Sequence, residues 1–329
     1  MKKFMDKYNT VIFDMDGVIT SEENYWNSAA LTVREFLSTK AKPDPAEMSR
    51  NVHGIRREVF ADDRIIFALK RRGVNSNWDL GYVTVLIAYI LGTDDSGRIL
   101  EFAEGLSDNI LDEYDRLANE AAKKTGKPPE YRNGKLWTAM HDCFQEWFLG
   151  DELFIKQYGR KPLSCGKPGL VKTEQPIIQM TVLKELLAEL SKTKRVCTGT
   201  GRPYLELISP LEEWDIMKYF APDGLSNYDH VAAAETNTGM TLTKPHPYIF
   251  LKALFGTGYD DERLISGDYD SDKVNTALVV GDAGADILAA HAMGADFCAV
   301  LTGINGKAAR TYFEQLGAEY ILDSVVELI

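Results

Sequence analysis

VIFDMDGVIT, residues 11–20, carries an unbroken apolar run, Val11, Ile12 and Phe13, that stops at two acids and a glycine. Apolar residues in succession mark a strand covered on both faces, because a half-exposed strand alternates. Strands buried in this way belong to parallel sheets, which gather their chemistry at the carboxyl ends of the strands. Asp14 and Asp16 therefore stand, one residue apart, at the expected edge of such a sheet. Gly17 lets the chain curl there, so that backbone N–H groups can face an anion.

The sheet's other strands come late in the chain. After Pro176, apolar runs alternate with helical patterns. KRVCT (194–198), HVAAA (230–234), TALVVGD (276–282) and FCAVLTG (297–303) read as strands, and EYILDSVVELI (319–329) as a strand with a last turn. IIQMTVLKELLAELSKT, PYLELISPLEEWDIMKYF, HPYIFLKALFG, AGADILAAHAMG and KAARTYFEQLG read as the helices between them. Such alternation predicts an α/β fold, a doubly wound parallel sheet with helices on both faces.

Between the first strand and the rest lies a long helical stretch. SAALTVREFL, RREVFADDRIIFALKRRG, WDLGYVTVLIAYILG, GRILEFAEGLSDNILDEYDRLANEAAKK and LWTAMHDCFQEWFLGDELFIKQYG show helical periodicity, with Gly73, Gly126 and Gly159 as C-terminal caps. The apolar run Leu80 to Gly92 is too short to span a bilayer and reads as a buried helix. The aromatic-rich Phe144 to Phe154 reads as packing, and GRKPLSCGKPGLVKTEQP, Gly159 to Pro176, as a linker. The expected division is residues 1–20 and 171–329 as the α/β core, with 21–170 as an inserted all-helical domain. A chain of 329 residues agrees with two domains.

Hydrophobic residues make up 45% and charged residues 26%, the composition of a soluble globular protein. A net charge of -12 argues against nucleic acid and anionic membranes as partners. Cys143, Cys165, Cys197 and Cys298 form no C-x-x-C pair, so neither zinc nor a redox motif is expected. MKKFMDKYNT is followed by no apolar run of signal-peptide length, and a reducing cytoplasm is the expected setting.

The strand ends collect a definite chemistry. Asp14 and Asp16 follow the first strand; Thr198, Gly199, Thr200, Gly201 and Arg202 follow RVC; Lys244 precedes HPYIF; Asp282 and Asp286 follow ALVVG. Clustered carboxylates repel one another and call for a hard cation, most naturally Mg²⁺. The set suits phosphoryl transfer: Asp14 as nucleophile, Asp16 as the proton carrier, and a threonine hydroxyl, turn N–H groups and Lys244 around the phosphoryl oxygens. Asp282 would complete the metal site, and Asp286 would fix water ligands or Lys244.

DMDGV, the TGR turn, the KPxP lysine and GDxxxD, in this order, resemble the four motifs of the haloacid dehalogenase superfamily. The resemblance covers residues 10–20 and 177–329. It implies a Rossmann-like core, a small phosphorylated substrate, Asp14 as nucleophile, and Mg²⁺ held by the Asp14 carboxylate, the Asp16 backbone carbonyl and Asp282. An aspartate two residues after the nucleophile is the pattern of the family's phosphatases and phosphomutases, and dehalogenases and phosphonate hydrolases lack it. The position of the insertion is similar to the helical cap of the phosphoglycolate phosphatase and β-phosphoglucomutase group, although this cap is longer. The expectation is a Mg²⁺-dependent phosphatase. A phosphomutase and a non-catalytic binding protein on the same scaffold are the alternatives.

For the phosphate hydroxyl, Thr200 in the TGR turn is preferred to Thr198, and both stay open. Gly17 and Gly201 would offer backbone N–H groups, and Arg202 would reach substrate or lie on the surface. GTG at 199–201 lacks the third glycine of a dinucleotide motif, since Leu205 stands there. His246 reads as a loop residue. Glu22 and Glu23 would line an entrance. His53 with Arg56 and Arg57, and Arg132, Lys135 and Trp137, would be basic clusters for a leaving group or ordinary solvated faces.

Overall fold

The structure, a computed structural model, describes residues 2–38, 44–74 and 76–329. It divides into two compact units: Met1–Glu22 with Glu174–Ile329, and Glu23–Thr173.

The first unit is a six-stranded, all-parallel sheet. Its strands are β1 (Thr10–Phe13), β2 (Arg195–Gly199), β3 (Leu225–Ser226), β4 (Ala277–Gly281), β5 (Asp296–Val300) and β6 (Tyr320–Leu322). Their order is β3-β2-β1-β4-β5-β6, so the direction of winding reverses between β1 and β4. That reversal opens a crevice at the carboxyl ends of the two central strands. Phe13 is in register with Thr198 on one side and Val280 on the other, which brings Asp14 and Asp282 to adjacent strand ends. All four residues of β1 and all five of β4 are buried, as strands covered on both faces must be.

One row of side chains crosses four strands, Cys197, Ile12, Val279 and Phe297, in direct register. It lies in a single apolar core with Val231 and Ala234, with Tyr248 and Phe250, and with Ile287 and Ala290, drawn from three helices. Burying each large member of that row stabilises the sheet by about 1.5–3 kcal/mol. The helix Met180–Ser191 buries Leu183, Leu186, Leu187 and Leu190, one stripe at helical spacing.

Residues 230–234 depart from the expected strand. They lie in the helix Tyr228–Thr238, and the strand at this point is the two-residue β3. Asn227 decides it: its side chain accepts from Asp229 N–H, and its own N–H donates to His230 Nδ1. The helix is thus capped at its start, and its alanines extend it to Gly239.

The second unit contains only helices among its described residues. The longest are Glu23–Leu37, Asn77–Leu91, Tyr114–Thr125 and Lys135–Tyr158. Among this unit's stretches that read as continuous helices, two break at positive φ. Ala61, Asp62 and Asp63 all have positive φ (50°, 55° and 66°), which separates Val52–Val59 from Arg64–Lys70. Gly150, at φ 73° and ψ 171°, kinks the long helix Lys135–Tyr158, and a Cβ there would sit 2.8 Å from Gly169 N. Only glycine occupies that backbone region readily. The segment 159–176, read as a linker, packs into this unit through Lys167. Its buried ammonium meets Glu146 at 2.8 Å and Glu35 at 3.0 Å. No helix among the described residues is long and apolar enough to cross a membrane.

Candidate active site

The site is built at the β1/β4 edge. Asp14 N–H donates to Val280 O at 2.9 Å, which continues the ladder by one residue and fixes where the Asp14 side chain begins. Lys244 Nζ contacts Asp14 Oδ1 at 2.9 Å and Asp286 Oδ1 at 2.8 Å. One carboxylate oxygen each from Asp14, Asp282 and Asp286 lies within 4.8 Å of the other two. Residues from three distant segments thus form one charged cluster around a single ammonium. Lys244 also stands 4.7 Å from the centre of the Phe250 ring, so its donors are aimed at the carboxylates from an apolar wall.

Burial pushes the Asp14 carboxyl up to about 7; Asp286 and Asp16 push the same way, and Lys244 opposes them. Asp282 is raised well above the ordinary carboxylate range by burial, then by Asp286, Asp14, Glu22 and Asp16. Burial works against the Lys244 ammonium, but Asp14 and Asp286 outweigh it and keep its pKa above the usual value. The charges acting most on Asp282 are all negative, so the cluster has an unmet need for positive charge. Its donors are carboxylate oxygens, which suit a hard divalent cation. The approach to Asp282 is kept open by backbone: a Cβ at Gly17 would lie 2.3 Å from Asp282 Oδ2, and one at Gly303 would lie 1.9 Å from it.

Asp286, read as fixing water ligands or Lys244, contacts Lys244 through Oδ1, and its Oδ2 accepts from Ala283 N–H at 3.2 Å, at the start of its own helix. Gly17, at φ 73°, gives the turn its curl, but its N–H donates to Thr20 O at 2.8 Å rather than facing open space. Thr302 Oγ1 donates to Gly17 O, tying the β5 loop to the same turn.

Arg202 is neither on the surface nor facing open space. Its side chain is 1% exposed and bonds to Asp16, Thr20 and Glu174, with a further donor on Glu206 O. Gly201 beside it is exposed, with nothing near where a Cβ would stand. Thr200 Oγ1 accepts from Arg202 N–H at 3.2 Å, whereas Thr198 Oγ1 is buried without a partner among the described residues. Thr198 is in register with Phe13, one residue below Asp14; Thr200 follows the strand's end.

The remaining candidates have other partners. His246 Nδ1 accepts from Tyr248 N–H in its own loop. In the second unit, Arg56 bonds to Asp63 and Glu23 and lies over Trp26, and His53 stands 3.7 Å from Glu23. Arg132 and Trp137 both donate to the buried Asp79, and Lys135 begins the long helix. Three residues of the site escape a reading of the chain alone: Gly303, Thr302 and Glu174. The first two follow a strand, which is a usable signal. Glu174 sits in a stretch with no pattern, and only its partner gives it meaning.

Residues 241–328, which include Lys244, Asp282 and Asp286, match the family model described as "HAD-hyrolase-like". No curated protein matches the chain. Among solved structures, a Northeast Structural Genomics Consortium target is 26% identical, with 97% of each chain covered and a TM-score of 0.80. A phosphatase, Tt82 from Thermococcus thioreducens, is 20% identical over 93% of this chain and 97% of its own, with a TM-score of 0.52. With its parallel sheet in this order, its matching C-terminal segment and its four motifs, the chain is similar to proteins of the haloacid dehalogenase superfamily.

Proposed function

We propose that the chain hydrolyses small phosphomonoesters with the help of a divalent cation, Mg²⁺ being the expected one, by way of a phosphoryl group carried on Asp14. The observation that carries this reading is the Asp14–Lys244–Asp286 chain of contacts at the end of the central strand, with Asp282 beside it. The Asp14 and Asp282 carboxylates and the Asp16 backbone carbonyl would hold the cation. Bound there, it would neutralise the repulsion between Asp14 and the phosphoryl oxygens.

Each step follows from what these side chains can do. Lys244 favours the ionised form of Asp14 and orients it, and shares its charge with the incoming phosphoryl group. Asp286 keeps Lys244 in place, acting through the ammonium rather than on substrate. An Asp14 oxygen attacks phosphorus, the P–O bond to the leaving group breaks, and the Asp16 proton passes to the departing alkoxide. Asp16, now a carboxylate, takes a proton from water. That water attacks the aspartyl-phosphate, the acyl P–O bond breaks, and inorganic phosphate leaves. The Thr200 hydroxyl, just past the strand's end, and the N–H of the exposed Gly201 would receive the phosphoryl oxygens. Thr198 lies deeper.

The test is release of inorganic phosphate from a panel of alkyl and aryl phosphomonoesters, with Mg²⁺ and with a chelator. Turnover that needs Mg²⁺ and vanishes in a folded Asp14→Asn variant is the expected result. Turnover retained in that variant sinks the nucleophile. Accumulation of an isomeric sugar phosphate without phosphate release turns the reading to a mutase.

A further inference from the structure

Asp16 makes no contact with Lys244, and it has its own cation. Arg202 Nε lies 3.2 Å from Asp16 Oδ1 and 3.1 Å from Oδ2, and Nη2 also bonds to Oδ1. Thr20 Oγ1 donates to Asp16 Oδ1 at 3.2 Å. The guanidinium is held from behind as firmly: Nη1 donates to Glu174 Oε2 at 3.0 Å and to Glu206 O at 3.1 Å, and Nη2 reaches Glu174 Oε1. Arg202 and Glu174 are each 1% exposed, while Asp16 is 26% exposed. A buried arginine fork thus grips a carboxylate whose other side is open to solvent.

Two negative charges on one guanidinium are not needed for the fold alone. A buried ion pair stabilises little against apolar side chains of the same volume. What it supplies is fixed geometry. A planar guanidinium clamped on one side by a bidentate carboxylate presents its remaining donors in one direction. An aspartate at a mobile turn, without such an anchor, samples its rotamers freely.

We infer that Arg202 is a positioning residue that holds the Asp16 carboxyl group where it must deliver its proton, with Glu174 holding Arg202 in turn. The inference rests on the reading of Asp16 as the proton carrier. Its signature is dependence on the leaving group. An alkyl alkoxide cannot depart without a proton, whereas p-nitrophenolate can. The ratio kcat/KM covers only the steps through formation of the phosphoenzyme, so the later use of Asp16 on water does not enter it.

The experiment compares kcat/KM for p-nitrophenyl phosphate with that for an alkyl phosphate from the panel above. The enzymes are the wild type, Arg202→Lys, and the double variant Arg202→Met/Glu174→Met, which removes both buried charges together. Lysine keeps the charge but loses the fork. The expected result in both variants is a loss of about 10²-fold on the alkyl phosphate, the cost of a misplaced group. On p-nitrophenyl phosphate, where no general acid is needed, the expected loss is under about threefold. Equal losses on both probes, or no loss on the alkyl phosphate in either variant, overturn the inference and leave the phosphatase reading intact. Wild-type protein that releases phosphate from neither probe removes the phosphatase reading and this inference with it.

Discussion

Metal-free protein should lose stability as pH rises, and a divalent cation should abolish that loss. In the folded chain the Asp14 carboxyl is pushed up to about 7, whereas an unfolded aspartate titrates near about 3.9. Between those values the folded state keeps a proton that the unfolded state has lost. Raising the pH through this window therefore favours unfolding, and above the folded value the loss is complete. Three pKa units correspond to at most about 4 kcal/mol. For a unit of this size that is a fall of at most roughly 8–16 °C in the unfolding midpoint between about pH 4 and about pH 7. The assay is thermal unfolding across that range in chelator and in Mg²⁺, for wild type and Asp14→Asn. The cation selects the ionised carboxylates, so in Mg²⁺ the slope should flatten and the midpoint at neutral pH should rise. A midpoint that climbs with pH in chelator, or the same slope in Asp14→Asn, would refute the account of Asp14.

Other substitutions probe the same site and the helical unit. Lys244→Met leaves Asp14 and Asp286 facing each other without their ammonium, and should lower stability by about 3–5 kcal/mol in chelator, as measured by denaturant unfolding. Mg²⁺ should recover part of that loss. Gly17→Ala puts a Cβ 2.3 Å from Asp282 Oδ2 at a backbone φ of 73°; titration calorimetry should show Mg²⁺ affinity reduced by at least about tenfold, the scale of losing support around a metal ligand. Gly150→Ala forces a side chain into a glycine-only conformation against Gly169 N. It should destabilise the helical unit by roughly 1–3 kcal/mol, seen in hydrogen exchange of that unit while the sheet's protection is unchanged.

Much of the sheet and the meeting of Asp14, Lys244 and Asp286 are legible in the chain. Apolar runs such as ALVVG are long enough to be unmistakable, and in a parallel sheet every strand must end at the same edge. What cannot be read is what depends on partners far along the chain. Arg202 looks like any arginine in a turn until Glu174, from a patternless stretch, is set against it. Residues 230–234 mislead for a different reason: a valine and three alanines fit a buried strand or a helix, and a single cap at Asn227 settles the matter. The left-handed run Ala61–Asp63 has no composition to announce it, because none of its residues is glycine. Lys167 lies in a segment rich in glycine and proline that reads as solvent-exposed, yet its ammonium is buried between two glutamates.

The chain leaves and re-enters the sheet unit along paired backbone. Ser21 N–H donates to Gln175 O at 3.0 Å, Ile177 N–H donates to Ile19 O at 2.9 Å, and Thr20 bridges to Pro176 between them. This short antiparallel clasp fixes the two ends of everything between residues 22 and 174 a strand's width apart. Closing a loop becomes only slowly harder as it lengthens, by about 0.6 kcal/mol for each doubling. Once the clasp has formed, the sheet is nearly indifferent to the size of what it carries. A helical insertion at this point is free to grow over evolutionary time while the four motifs keep their spacing, and that tolerance is a physical reason why so long an excursion begins only a few residues after Asp14.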